Sequence, residues 1–282
     1  MKIKVADSAG FCFGVKRATQ MAFEAAEKGG TTYTLGPIIH SPQVVQKLEE
    51  MGVRVLQELA EQDSGTIIIR SHGVTSEELD EAIQKELEVV DATCPFVKKA
   101  QEHVRELSAE GYSVVVVGDA DHPEVQGIVS YAKGKVFVVG SGAEAAQLPR
   151  TNKIGVVAQT TQSFENLEAV VLECLRRSGE IRVYHTICDA TAVRQKAAKD
   201  LALQVDCMIV IGGFNSANTR RLAEVCAEIQ PRTHHIETAQ QIDAGWFVNV
   251  EKVGVTAGAS TPKWLIDEVM ERISRINQDK NC

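Results

Sequence analysis

Three cysteines in this chain stand at one fixed distance from three glycines: Cys12 from Gly36, Cys94 from Gly118 and Cys188 from Gly212, 24 residues in each case. Each interval reads alike. A helical pattern follows the cysteine ("VKRATQMAFEAAEKG", "FVKKAQEHVRELSAEG", "TAVRQKAAKDLALQ"), then a short strand ends at the glycine, and a second helical pattern begins beyond it. An internal repeat restricts the available folds more than any local propensity does, because each copy must form the same supersecondary unit.

Each copy goes on to a second strand and turn: "GTIIIRSHGVTSEEL", "KIGVVAQTTQSFENL" and "KVGVTAGASTPKWLI". Short β-branched runs that alternate with helical patterns indicate βα units and a parallel sheet. A third strand precedes each cysteine, "IKVA" at 3–6, "LEVV" at 87–90 and "IRVY" at 181–184. The expected class is therefore α/β, with three pseudo-threefold-related small α/β domains of mainly parallel sheet around a shared centre. The domain divisions expected are 12–93, 94–185 and 186–282. Residues 1–11 complete the third domain, so that the strand at 3–6 joins the last sheet and closes a ring. Helix starts are expected at Thr75, with Glu78 three residues on, and at Pro262 after Thr261.

Composition narrows the partners. Lys and Arg number 30 against 38 Asp and Glu, a formal charge of −8, which argues against nucleic acid or an anionic membrane as partner. The start, "MKIKVADSAG", lacks the apolar core of a secretory signal. Runs such as "VVVV" at 114–117 are too short to span a bilayer. These features lead to the expectation of a cytoplasmic protein.

The chain has seven cysteines, and an odd count in a chain of this type favours metal binding or catalysis over a disulfide framework. Cys12, Cys94 and Cys188 each head a helix, where the dipole and free N–H groups favour a thiolate; Pro95 suits the first helical position. Ligands of parallel α/β sheets bind beyond the carboxyl ends of the strands, where three equivalent helix heads would meet. Three thiolates there suit zinc or an iron–sulfur cluster. Without a close C-x-x-C pair, a 4Fe–4S cubane with one iron lacking a protein ligand is the better match. Cys174, Cys207 and Cys226 read as core residues, and Cys282 as a terminal one.

The turns after the strands bear His40 and His72 in the first copy, His122, Glu124, Thr160 and Thr161 in the second, and Ser216, Asn218 and Ser260 in the third. Taken singly, Ser, Thr and Asn before a helix are caps, and Glu124 complements a helix dipole. Taken jointly, donors at corresponding turns of three copies describe an anion site able to hold a diphosphate. No Walker-type lysine loop is present. His103, His185, His234 and His235 lie outside these turns and are expected at the surface or in packing.

"GFCFGVKRA", "GPIIHSPQVV", "RSHGV", "DATCPFVKKA", "DADHPEVQG", "AQTT", "CDATAVRQ", "NSANTRR" and "GVTAGASTP", taken in order, resemble the 4-hydroxy-3-methylbut-2-enyl diphosphate reductases, which catalyse the last step of the non-mevalonate isoprenoid pathway. The resemblance runs from Cys12 to Pro262. It implies a 4Fe–4S cluster on Cys12, Cys94 and Cys188, with the substrate hydroxyl at the fourth iron. It further implies a diphosphate held by His40, His72, His122, Ser216, Asn218 and Ser260, and proton delivery by Glu124 with Thr160. The reaction implied takes two electrons and two protons, releases water, and draws electrons singly from a ferredoxin or flavodoxin. Where the family often has a second serine, this chain has Ala217, which is left out of the site. Quinolinate synthase, which shares three α/β domains and an open-iron cluster, is a fold-level analogy. A non-catalytic iron–sulfur sensor leaves the polar turns without a purpose.

Overall fold

A computed structural model of the chain describes residues 1–59, 62 and 64–279; Cys282 lies outside the described residues. In chain order the elements are β1 (Lys2–Val5), α1 (Phe13–Glu27), β2 (Thr32–Leu35), α2 (Pro42–Glu50), β3 (Arg54–Leu56), β4 (Thr66–Ile69), α3 (Ser76–Gln84) and β5 (Glu88–Asp91). There follow α4 (Pro95–Ala109), β6 (Ser113–Val117), α5 (Pro123–Ser130), β7 (Val136–Val139), α6 (Gly142–Ala145), β8 (Thr151–Ala158), α7 (Phe164–Leu175) and β9 (Ser178–Val183). The last copy contains α8 (Asp189–Ala202), β10 (Cys207–Ile211), α9 (Ala217–Ile229), β11 (Thr233–Ile236), two 3₁₀ turns, β12 (Lys252–Ala257) and α10 (Lys263–Asp279).

The strands form three four-stranded sheets, ordered β3-β2-β4-β5, β7-β6-β8-β9 and β11-β10-β12-β1. Every pairing is parallel. Three sheets of one class and one strand order bear out the expected α/β repeats. The terminal strand β1 pairs with β12, Lys2 opposite Lys252 through Val5 opposite Val255.

The sequence reading gave each sheet three strands, and the structure has four. The strands it omitted, β3, β7 and β11, all lie at sheet edges. They are three or four residues long, and one of them, "THHI", carries little of the apolar run that marked the others.

Parallel strands covered on both faces need apolar residues at successive positions. In β6, Val115 and Val117 enter one buried cluster while Val114 and Val116 enter another. In β10, Cys207, Ile209 and Ile211 face one cluster and Met208 and Val210 the other. That is the period of two that a strand imposes.

By compactness the chain separates into two units. One comprises residues 1–16, 39–46 and those from 189 onward, built on the β11-β10-β12-β1 sheet; the other comprises 17–38 and 47–188 and holds the remaining two sheets. Among the described residues, no helix is long and apolar enough to cross a membrane.

Candidate active site

Each of the three spaced cysteines is the residue directly before a helix: Cys12 before α1, Cys94 before α4, Cys188 before α8. Each also has the same backbone tether. The Cys12 N–H donates to Ala259 O at 3.2 Å, Cys94 N–H to Ser71 O at 2.9 Å, and Cys188 N–H to Thr160 O at 2.9 Å. Those acceptors lie two residues beyond the ends of β12, β4 and β8. Two positions ahead of each cysteine the chain again reaches the last strand residue. Gly10 N–H donates to Ala257 O and Ala92 N–H to Ile69 O, and the Thr186 hydroxyl substitutes by donating to Ala158 O at 2.6 Å. Thus each cysteine is set by strand register, at the carboxyl end of its sheet, where α/β proteins bind ligands.

The Cys12 sulfur accepts from Val15 N–H at 3.5 Å, the contact of a helix cap. All three sulfur-bearing residues are half-buried. Cys174, Cys207 and Cys226 are buried in apolar clusters, and burial pushes their thiols up to about 11, 11 and 12. They stay protonated and unreactive at neutral pH, as expected of core cysteines.

In the unit built on the terminal sheet, the turns after β10 and β12 meet the loop holding His40. Ser260 Oγ donates to His40 O at 3.1 Å and lies 3.5 Å from Ser216 Oγ. Ser216 caps α9, its Oγ accepting from Thr219 N–H at 3.4 Å. Asn218, 8% exposed, has a buried Nδ2 with no hydrogen-bond partner among the described residues. A buried amide donor left open is costly unless a ligand meets it. Two serine hydroxyls, this amide and a helix N-terminus form a set of neutral donors suited to an anion. Ala217 is the first residue of α9 and brings only its N–H.

Two glycines allow the turns to close. Gly212 sits at φ +144°, and at Gly213 a Cβ would stand 2.8 Å from His40 O. His235, at the sheet edge, braces the same turn, with Nε2 2.9 Å from Gly212 O and its ring across Phe214.

In the other unit, Glu124 lies in the first turn of α5, 2% exposed. Its Oε1 accepts from Thr160 N–H at 2.6 Å and its Oε2 is 3.0 Å from Thr160 Oγ1. Burial pushes the carboxyl above the usual range, partly offset by the two Thr160 contacts. His122 caps α5: its Nδ1 accepts from Glu124 N–H at 3.1 Å, so the ring is the neutral tautomer with its proton on Nε2. The His72 ring meets that of His122 edge-on at 5.6 Å. Gln159, which the sequence reading passed over beside its threonines, is 3% exposed; its Oε1 accepts from Asp119 N–H at 3.2 Å, tying the β6 turn to the β8 turn.

The structure thus joins Glu124, Thr160 and His122 in one hydrogen-bonded group, and His40, Ser216 and Ser260 in another. Among the described residues, no three His, Cys, Asp or Glu side chains stand close enough to bind one metal ion.

A model of the LytB protein family matches residues 3–274. The chain is 77% identical to a 4-hydroxy-3-methylbut-2-enyl diphosphate reductase from Geotalea uraniireducens over the full length of both. It is 75% identical to another from Geobacter sulfurreducens over 99% of each chain. One solved structure of an (E)-4-hydroxy-3-methyl-but-2-enyl diphosphate reductase, the terminal enzyme of the non-mevalonate pathway, is 46% identical with a TM-score of 0.74, covering 97% of this chain and 99% of that one. The Plasmodium falciparum reductase is 27% identical with a TM-score of 0.88 over 97% and 87% of the two chains. With the family-model match, the likeness to solved structures and the full-length identity in agreement, the chain belongs to the LytB family, that of the 4-hydroxy-3-methylbut-2-enyl diphosphate reductases.

Proposed function

We propose that the chain reduces 4-hydroxy-3-methylbut-2-enyl diphosphate to isopentenyl and dimethylallyl diphosphates, consuming two electrons and two protons and releasing water. The observation that carries this reading is the threefold tether: three half-exposed cysteines, each before a helix, each held by the same backbone bond. It agrees with the activity by which the full-length relatives are named.

Cys12, Cys94 and Cys188 would hold a 4Fe–4S cluster, and the donor set fits that group. A cubane distributes its thiolates over separate irons, so they need not crowd as ligands of one ion do. When bound, a cluster with one iron lacking a protein ligand supplies electrons singly and a Lewis acid for the departing hydroxyl. A ferredoxin or flavodoxin would supply those electrons in the cytoplasm.

His40, His72, His122, Ser216, Asn218 and Ser260 bind the diphosphate in this reading. The open Asn218 amide and the Nε2–H of neutral His122 can donate without bringing a counter-charge. Burial raises the Glu124 carboxyl above the ordinary carboxylate range and so favours its acid form. The Thr160 hydroxyl donates to Glu124 Oε2 at 3.0 Å, a contact along which a carboxyl proton can pass to the threonine oxygen as the hydroxyl releases its own. Glu124 and Thr160 therefore form a two-residue path that delivers a proton to the leaving oxygen or the allyl carbon. The three repeats at 12–93, 94–185 and 186–282, with 1–11 added to the last, are part of the same proposal: one cysteine and one group of turns from each.

The test is anaerobic reconstitution followed by iron and sulfide analysis and an assay for loss of the hydroxylated allylic diphosphate. Cys12→Ser, Cys94→Ser and Cys188→Ser should each lose most of the iron, while Cys174→Ser keeps it. Equal iron in all four, or no consumption of the substrate by the reduced parent protein, overturns the reading.

A further inference from the structure

Every helix that begins beside one spaced cysteine also carries a side chain that grips the loop leading to the next. On α1, Arg17 donates through Nη1 to Thr93 O at 3.2 Å and through Nη2 to Asp91 O at 3.4 Å, just ahead of Cys94. On α4, the His103 ring lies flat on Tyr184, centroids 3.7 Å apart and planes 9° apart, four residues ahead of Cys188. On α8, Arg194 is 3% exposed. Its Nη1 donates to Ser8 O, four residues ahead of Cys12, and at 3.0 Å to Ala257 O, at the end of β12.

The internal repeat does not account for these contacts. Arg194 is the sixth residue after its cysteine, and the sixth residue in the other copies is alanine, Ala18 and Ala100, both fully buried. Arg17 is the fifth and His103 the ninth. Two arginines and a histidine at non-equivalent positions do one task. Stability alone does not call for Arg194 either, since burying a guanidinium is costly and an apolar residue of similar volume would pack at less cost. What charge-assisted donation from one Nη1 to two carbonyls adds is fixed geometry. Here it sets the strand end that leads through Ala259, the tether of Cys12, to Ser260.

The geometry points to Arg17, His103 and Arg194 as positioning residues. Each holds the loop of one cysteine from the helix that follows another: Arg17 for Cys94, His103 for Cys188, Arg194 for Cys12. In calling these cysteines ligands the inference rests on the function proposed above, but its test needs neither iron nor substrate, so the two can fail separately.

The test is site-resolved alkylation. The metal-free full-length chain is treated with iodoacetamide at one fixed pH, and labelling of each cysteine is followed by mass spectrometry. Loss of an arginine's charge-assisted bonds, or of the His103–Tyr184 stack, should raise local opening, and hence labelling, on the order of tenfold. Arg17→Gln should raise Cys94 alone, His103→Ala Cys188 alone, and Arg194→Gln Cys12 alone. Arg17→Lys and Arg194→Lys, which keep the charge and a donor, should restore most of the parent rate. Cys174, Cys207 and Cys226 serve as fold reporters and should stay slow. Should Arg194→Gln fail to fold, all cysteines label together, and Arg194→Lys with the half-buried Arg17 and His103 arms decides the matter. Faster labelling of the cysteine on the variant's own helix, a uniform rise in folded protein, or no rise overturns the proposal.

Discussion

Burial keeps Glu124 protonated in a range where free carboxyls ionise, and this has two measurable signs. The folded chain binds a proton that the unfolded chain has released, so the group lowers stability as pH rises from the ordinary carboxyl range up to its raised folded value. Glu124→Gln keeps the shape without the titration. Its thermal midpoint should exceed the parent's, by a margin that widens as pH rises from the ordinary carboxyl range, while most turnover is lost and the cluster spectrum is kept. A margin independent of pH, or near-normal turnover, contradicts the assignment. At Asn218 the open amide predicts a different split. Asn218→Ala should raise KM about 10- to 100-fold with little change in kcat, the value of one hydrogen bond to a charged group, as read from steady-state kinetics. The residue types of this site were legible because donors recur at matching turns of a triplicated chain. The role of Gln159 was not, since its side chain crosses between two turns that only folding brings together.

Among elements, α3 shows local sequence writing local structure. Thr75 Oγ1 accepts from Glu78 N–H and the Glu78 carboxylate accepts from Thr75 N–H, the reciprocal pair foreseen from the sequence. Thr75→Ala should cost roughly 0.5–2 kcal/mol in chemical denaturation and leave iron content unchanged, separating helix stability from the site. The strands adjoining the cysteines were equally legible, being apolar runs bounded by turns. The edge strands were not. β11 reads "THHI", and its pairing to β10 at Met208–Ile211 supplies the order that its side chains do not advertise. The tethers on Cys12, Cys94 and Cys188 were out of reach for the same reason. A backbone N–H bond depends on register between distant segments, which no window of sequence contains.

For the molecule as a whole, the equal spacing carried the fold class, whereas the compact units do not follow the copies. The chain passes between units at 16/17, 38/39, 46/47 and 188/189, so residues 189–279 are not self-sufficient. They lack β1, whose backbone completes the sheet beside β12 through Lys2 N–H to Glu251 O and Ala6 N–H to Val255 O. Deleting residues 1–5 should leave β12 as a bare edge. Hydrogen exchange should then speed at Val253–Val255, while β6 and β8 stay protected.

That pairing of first strand with last also orders events on the ribosome. β1 is made first, yet its neighbour β12 emerges only after roughly 250 more residues, about 12–50 s later at 5–20 residues per second. Ala259, the anchor of Cys12, is translated later still. A nascent chain can finish its middle sheets while its opening segment waits unpaired, so until Ala259 emerges Cys12 stays untethered.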